Sequence, residues 1–166
     1  MASGSCFVRL PDPPYDDRVP RRDDLITLEA WGFAVPGPLR DELTALALSG
    51  VKMTTAGLLA EMEVDGEALP ERGVREVLLD SNERPVAVIE TVDCRVVRLA
   101  EVDDRHAIDE GEGYANTAEF RISHERFWNG YIDDLRDRLG PDFTIDDDTL
   151  VVLQRFRVVE RLAPTP

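Results

Sequence analysis

Hydrophobic positions along the chain fall into separate periodicities, and each predicts a different element. Leu39, Leu43, Leu46 and Ala47 recur at helical spacing between Pro38, a favoured first helical residue, and Gly50, which supplies a left-handed stop. The pattern predicts a short amphipathic helix that delivers residues 51–55 from a rigid end. Runs rich in β-branched residues at 74–79, 86–91 and 94–99, punctuated by Asp80-Ser81-Asn82 and by Pro85, predict three strands. Phe120, His124, Phe127, Tyr131, Leu135 and Leu139 then mark one stripe, opened by Asn116 and Glu119 in capping-box order and closed by Gly140-Pro141. This predicts the longest helix. Val151, Leu153, Gln154 and residues 156–159 predict a long closing strand. Strands fill the middle, helices flank them and no strand-helix-strand alternation is sustained. The expected class is therefore α+β, a small, partly closed β-barrel flanked by helices, and not a doubly wound sheet.

Composition sets the boundaries of that picture. A chain of 166 residues is expected to hold one domain. Residues 1–24 carry Pro11, Pro13, Pro14 and Pro20 among Asp and Arg, too little apolar surface to order alone, so they are expected to form a flexible lead-in. The domain then spans 25–161, with a short tail at 162–166. A formal net charge of -15 opposes approach to a phosphate backbone or an anionic membrane, and it disfavours RNA as a partner. A small, uncharged ligand meets no such barrier. Cys6 and Cys94 imply no disulfide framework, and neither an apolar leader nor a membrane span is legible, so the expected location is the cytoplasm.

Among the 19 basic side chains Lys52 is the only lysine. An amine differs from a guanidinium in that burial can bring it to trade protons near neutral pH. Its sequence neighbour Thr55 offers a hydroxyl, and the segment Asp109-Glu110-Gly111-Glu112-Gly113 offers carboxylates on a glycine-loosened loop. Lys52 as base, Thr55 as nucleophile or water-positioner and Glu110 as proton carrier form a set suited to acyl transfer or hydrolysis. The acidic loop lacks the spacing and the lysine of a phosphate loop, which excludes a nucleoside triphosphate. His106 has no partner at metal-ligand spacing, and His124 on the helical stripe reads as a hydrogen-bonded core histidine, so no metal is expected. Asp146-Asp147-Asp148 lacks the alternating ligands of a calcium loop and reads as a solvated turn. No cofactor is implied. Trp31, Phe33, Trp128 and Tyr131 read as core more than as a stacking platform.

Residues 43–56, the Glu110-Gly111-Glu112-Gly113 loop, residues 120–128 and Arg155-Phe156-Arg157-Val158-Val159 together resemble the ASCH domain family. The order of motifs matches: a helix ending in Gly-x-Lys-x-x-Thr, an acidic glycine loop, a helix with an internal histidine and a closing strand containing phenylalanine. The resemblance implies a PUA-like barrel with a pocket for a nucleoside or an RNA-derived ligand. One branch of the family hydrolyses the acetyl amide of N(4)-acetylcytidine through a lysine, a threonine and a glutamate at the positions of Lys52, Thr55 and Glu110. That branch carries Thr-x-Arg, where this chain has Gly57, so Arg155 is the candidate for the missing basic contact. Thr54 and Glu112 complete the candidate substrate contacts. The alternatives are an RNA-binding module or ribonuclease, and a domain that senses a metabolite without transforming it.

Overall fold

A computed structural model describes residues 28–163. The expected lead-in, Cys6 and the last three residues lie outside the described residues. The element order is β1 (Glu29–Trp31), α1 (Pro38–Ser49), β2 (Thr54–Leu58), α2 (Leu59–Asp65), β3 (Arg75–Leu79), β4 (Pro85–Arg98), α3 (Asp104–Asp109), α4 (Thr117–Asn129), α5 (Ile132–Leu139) and β5 (Leu150–Arg161), with a 3-10 turn at Leu99–Glu101. The strands form one sheet in the order β1-β3-β4-β5-β2, antiparallel except for the β1–β3 pair. Among the described residues it is not closed, since β1 and β2 are its edges. The α+β class stands.

The antiparallel β4–β5 ladder is the spine. β4 runs unbroken over the two strands predicted at 86–91 and 94–99, because a register shift between Thr91 and Asp93 absorbs one residue and no turn forms. Two apolar clusters use the two faces of the sheet. On one face Leu58, Val151 and Leu153 meet Ala107, Phe120, Trp128 and Leu135 from α3, α4 and α5. On the other, Phe156 and Ile89 meet Leu43 and Ala47 of α1, with Phe33 and Leu78.

The longest predicted helix is two helices. α4 ends at Gly130, whose N–H is shared by the carbonyls of Arg126 and Phe127, and Tyr131 leaves helical geometry at φ -131°, ψ 29°. The break turns α5 so that Leu135 is fully buried while the Tyr131 hydroxyl reaches Glu61 at 3.2 Å. The apolar stripe continues through the break, so periodicity could not reveal it. At the start of α4, Asn116 Oδ1 accepts from the Glu119 N–H at 3.1 Å, and the Glu119 carboxylate accepts from the Ala115 N–H at 2.9 Å.

Candidate functional site

The end of α1 fixes the lysine. Gly50 adopts φ 78°, and the next N–H groups, of Val51 and Lys52, both donate to the Leu46 carbonyl, at 3.0 and 3.1 Å. Met53 is stapled on both sides, its N–H to the Asp109 carbonyl at 2.8 Å and its carbonyl to the Phe156 N–H at 3.0 Å. With its backbone held, the Lys52 side chain points inward. It is 2% exposed, and its ammonium lies 5.3 Å from the centroid of the Phe33 ring.

The acids come from the segment that follows α3. Asp103 caps α3 by accepting from the His106 N–H at 2.9 Å, and Glu110 is the residue on which the helix ends. Gly111 then takes φ 70°, and a Cβ there would lie 2.6 Å from the Val51 carbonyl oxygen. Only glycine permits so close an approach of the two backbones. That approach presents Glu110 and Glu112 to Lys52.

Lys52 Nζ is 2.5 Å from Glu112 Oε1 and 3.9 Å from Glu110 Oε2. The other Glu112 oxygen accepts from the Tyr114 hydroxyl at 3.0 Å, and Ser123 Oγ stands 2.9 Å from the same hydroxyl. Lys52 and Glu112 are thus a compensated pair. Burial raises the Glu112 carboxyl, but the Lys52 ammonium outweighs it and holds the group below its usual range. Glu110 has no such partner. It is fully buried, and neither carboxyl oxygen makes a well-formed hydrogen bond. Its surroundings are His106 Nε2 at 3.6 Å from Oε1 and His124 Nε2 at 3.4 Å from Oε2. A second carboxylate charge here would be uncompensated, which costs several kcal/mol in an enclosed site, on the order of the penalty for one desolvated ion. Burial accordingly pushes the Glu110 carboxyl up to about 7, with Lys52 and His124 pulling the other way. Burial also pushes the His106 imidazole down to about 4, helped by Arg95. At neutral pH the cluster therefore contains a carboxyl poised between its two forms, beside an ion pair and a neutral imidazole.

The sequence-predicted residues divide by strand face. Lys52, Glu110 and Glu112 converge. Thr54 is fully buried and donates its hydroxyl to the His106 carbonyl at 2.9 Å, which ties β2 to α3. Thr55 is half-buried and pairs with Gln154; neighbouring strand residues point to opposite faces, so Thr55 looks away from Thr54. Its hydroxyl makes no hydrogen bond within the described residues. Arg155 forms an ion pair with Asp109, which also faces Arg105 at 3.7 Å. Beside Lys52 and Met53 a groove of about 450 Å³ runs between the end of α1 and residues 156–161 of β5. Sequence reading missed the two histidines at Glu110. His124 was read as a core residue and His106 as a histidine without a metal partner, because nothing in the spacing of His106, Glu110 and His124 announces that the first pair packs against the helix bearing the third. Among the described residues no group of His, Cys, Asp and Glu has the arrangement to hold a metal ion.

The ASCH domain profile matches residues 29–160, four-fifths of the chain and all of the elements above. The chain belongs to the ASCH domain family. The fold agrees with two crystal structures. One is protein EF3133 from Enterococcus faecalis, 25% identical over 80% of this chain and 77% of that one, with a TM-score of 0.68. The other is an ASCH domain from Lactobacillus crispatus, 23% identical over 83% of each chain, with a TM-score of 0.69. No curated protein matches the chain. Within this ASCH domain no helix of the described residues is long and apolar enough to cross a membrane.

Proposed function

We propose that this ASCH domain hydrolyses a small amide of the acylated-cytosine nucleoside class, with N(4)-acetylcytidine as the representative substrate, at the Lys52, Glu110 and Glu112 cluster. The observation that carries the reading is the enclosure of Lys52 against two carboxyl groups of unequal affinity for protons, one held ionised and one held near neutrality. Amide hydrolysis needs a proton removed from the attacking group and another delivered to the leaving nitrogen. Glu110 suits the delivery, since a carboxyl pushed up to about 7 still carries its proton in a large share of molecules at neutral pH. Lys52 suits the removal. In its amine form it accepts a proton from the attacking water, and the ammonium so formed is held 2.5 Å from the ionised Glu112. The hydroxide equivalent adds to the carbonyl carbon, the carbon–nitrogen bond breaks, and Glu110 protonates the departing amine. The Lys52 ammonium, regenerated in the process, stabilises the oxyanion in a site sheltered from water.

An uncharged nucleoside also fits the electrostatics better than a polynucleotide does. Of the three β5 arginines, Arg155 is engaged by Asp109 and Arg157 by Glu90, while Arg161 donates to the Leu48 carbonyl. The test is release of cytidine from N(4)-acetylcytidine by the purified chain. Turnover that disappears in Lys52→Ala and in Glu110→Gln supports the reading. Absence of turnover in the wild type, together with salt-sensitive retention of RNA, replaces it with the RNA-binding alternative.

A further inference from the structure

Glu110 lies between two imidazoles, and the hydrogen bonding of one of them settles its tautomer. His124 Nδ1 is 3.1 Å from the Phe120 carbonyl, one turn back along α4. A carbonyl oxygen can only accept, so Nδ1 carries the hydrogen. In the neutral ring Nε2 is then a bare lone pair, 3.4 Å from Glu110 Oε2. Two lone pairs this close in an enclosed space repel. The arrangement is favourable only when a hydrogen lies between them, on the carboxyl as COOH···N or on the ring as COO⁻···H–N⁺. The ring itself is held in place: it stacks on Phe120 with centroids 3.9 Å apart and meets Trp128 at 5.2 Å and Tyr114 at 6.0 Å.

We infer that Glu110 and His124 hold one proton jointly, and that His124 is the positioning residue through which Glu110 exchanges this proton with solvent. Exposure gives the direction. The His124 side chain is 12% exposed, while those of Glu110 and Lys52 are each 1% exposed, so of the two groups that share the proton the imidazole is the one that meets water. His106 does not compete for the role. Its Nε2 stands 3.6 Å from the other oxygen, and its side chain is 4% exposed. The groups that face the pair are Lys52 and Glu112 from the opposite side, His106 from α3 and Tyr114 from the loop before α4. Transfer of the proton from carboxyl to Nε2 leaves carboxylate and imidazolium and needs no other reactant. The joint proton does not depend on the reaction; its use in reloading Glu110 after each turnover rests on the amide-hydrolysis reading.

The decisive experiment is an NMR titration of the full chain, without substrate, observing Glu carboxyl carbons and His ring nitrogens. The inference expects the neutral His124 ring to carry its hydrogen on Nδ1, and Glu110 and His124 to respond in the same pH steps. In His124→Asn, which retains an amide donor toward the Phe120 carbonyl and lacks Nε2, the Glu110 midpoint shifts and the His106 signal does not. Independent titration of Glu110 and His124, or a neutral ring bearing its hydrogen on Nε2, overturns it. The wild-type titration suffices if the variant fails to fold. In turnover of N(4)-acetylcytidine, His124→Asn lowers kcat by about 10²-fold with KM preserved, and added free imidazole restores part of the loss. A coupled titration in a chain that hydrolyses no amide would sustain the joint proton and remove the proposed function. Full turnover by His124→Asn at every pH would remove the reloading role alone.

Discussion

Lys52 is buried with a partner on each side, and that makes its removal costly. Lys52→Ala leaves Glu110 and Glu112 enclosed without a cation, and the loss of one member of a buried pair costs about 3–5 kcal/mol. Urea unfolding should record a fall of that size near neutral pH and a smaller one in acid, where both carboxyls are protonated. Glu110 gives a second, signed expectation. Its folded affinity lies at about 7 against 4.5 for an ordinary glutamate, so its contribution to stability is full below about pH 4.5 and is lost as pH rises through 7. His106 has the opposite sense, with its contribution full above 6.5 and lost as pH falls through about 4. Glu110→Gln should therefore gain stability relative to wild type on going from about pH 5 to about pH 8, as thermal melting at the two values would show. At this scale Lys52 and the acidic loop were each legible, as a solitary amine and as carboxylates between glycines, while their meeting was not, because 60 residues separate Lys52 from Glu112. The histidines were not. Their roles follow from tautomer and approach, which depend on how α3 and α4 meet.

Among the elements, the link between the end of α1 and the segment after α3 decides whether the site exists. Gly111 has a positive φ and no room for a methyl group against Val51, whereas Gly113, with φ 95°, has open space around it. Both alanine variants carry backbone strain of about 1–3 kcal/mol. Only Gly111→Ala should also drive the acids away from Lys52. Far-ultraviolet circular dichroism through a thermal ramp, paired with the Glu110 titration, would separate the two: stability falls in both, and the elevated carboxyl returns toward an ordinary value only in the first. The α4–α5 break has its own test. Leu135 is fully buried on the shorter helix, and Leu135→Ala should cost about 2–5 kcal/mol in denaturant unfolding. Helix α1, the caps of α4 and the closing strand could be read from periodicity and turn chemistry. The small pieces could not. β1 spans three residues and α3 six, too short for a period to establish itself, and the register shift in β4 reads as a break between two strands because Asp93 interrupts the β-branched run.

For the molecule as a whole, charge and topology point the same way. The sheet is covered on one face by α1 and on the other by α3, α4 and α5, a groove lies beside Lys52 and Met53 at the end of α1, and the chain as a whole carries a formal net charge of -15. Such a charge repels a polyanion and sets no barrier to an uncharged ligand. The α+β class was accessible from the order of elements, while the openness of the sheet was not, because closure depends on which strands pair at the edges. Of the residues the family resemblance singled out, Lys52, Glu110 and Glu112 converge, and Thr55 faces away from Thr54. The most direct measurement is the pH dependence of cytidine release from N(4)-acetylcytidine. Turnover that declines on the alkaline side with a midpoint near 7, and that is lost in Glu110→Gln, is the predicted result; no release at any pH, or release indifferent to Glu110 and Lys52, would contradict it.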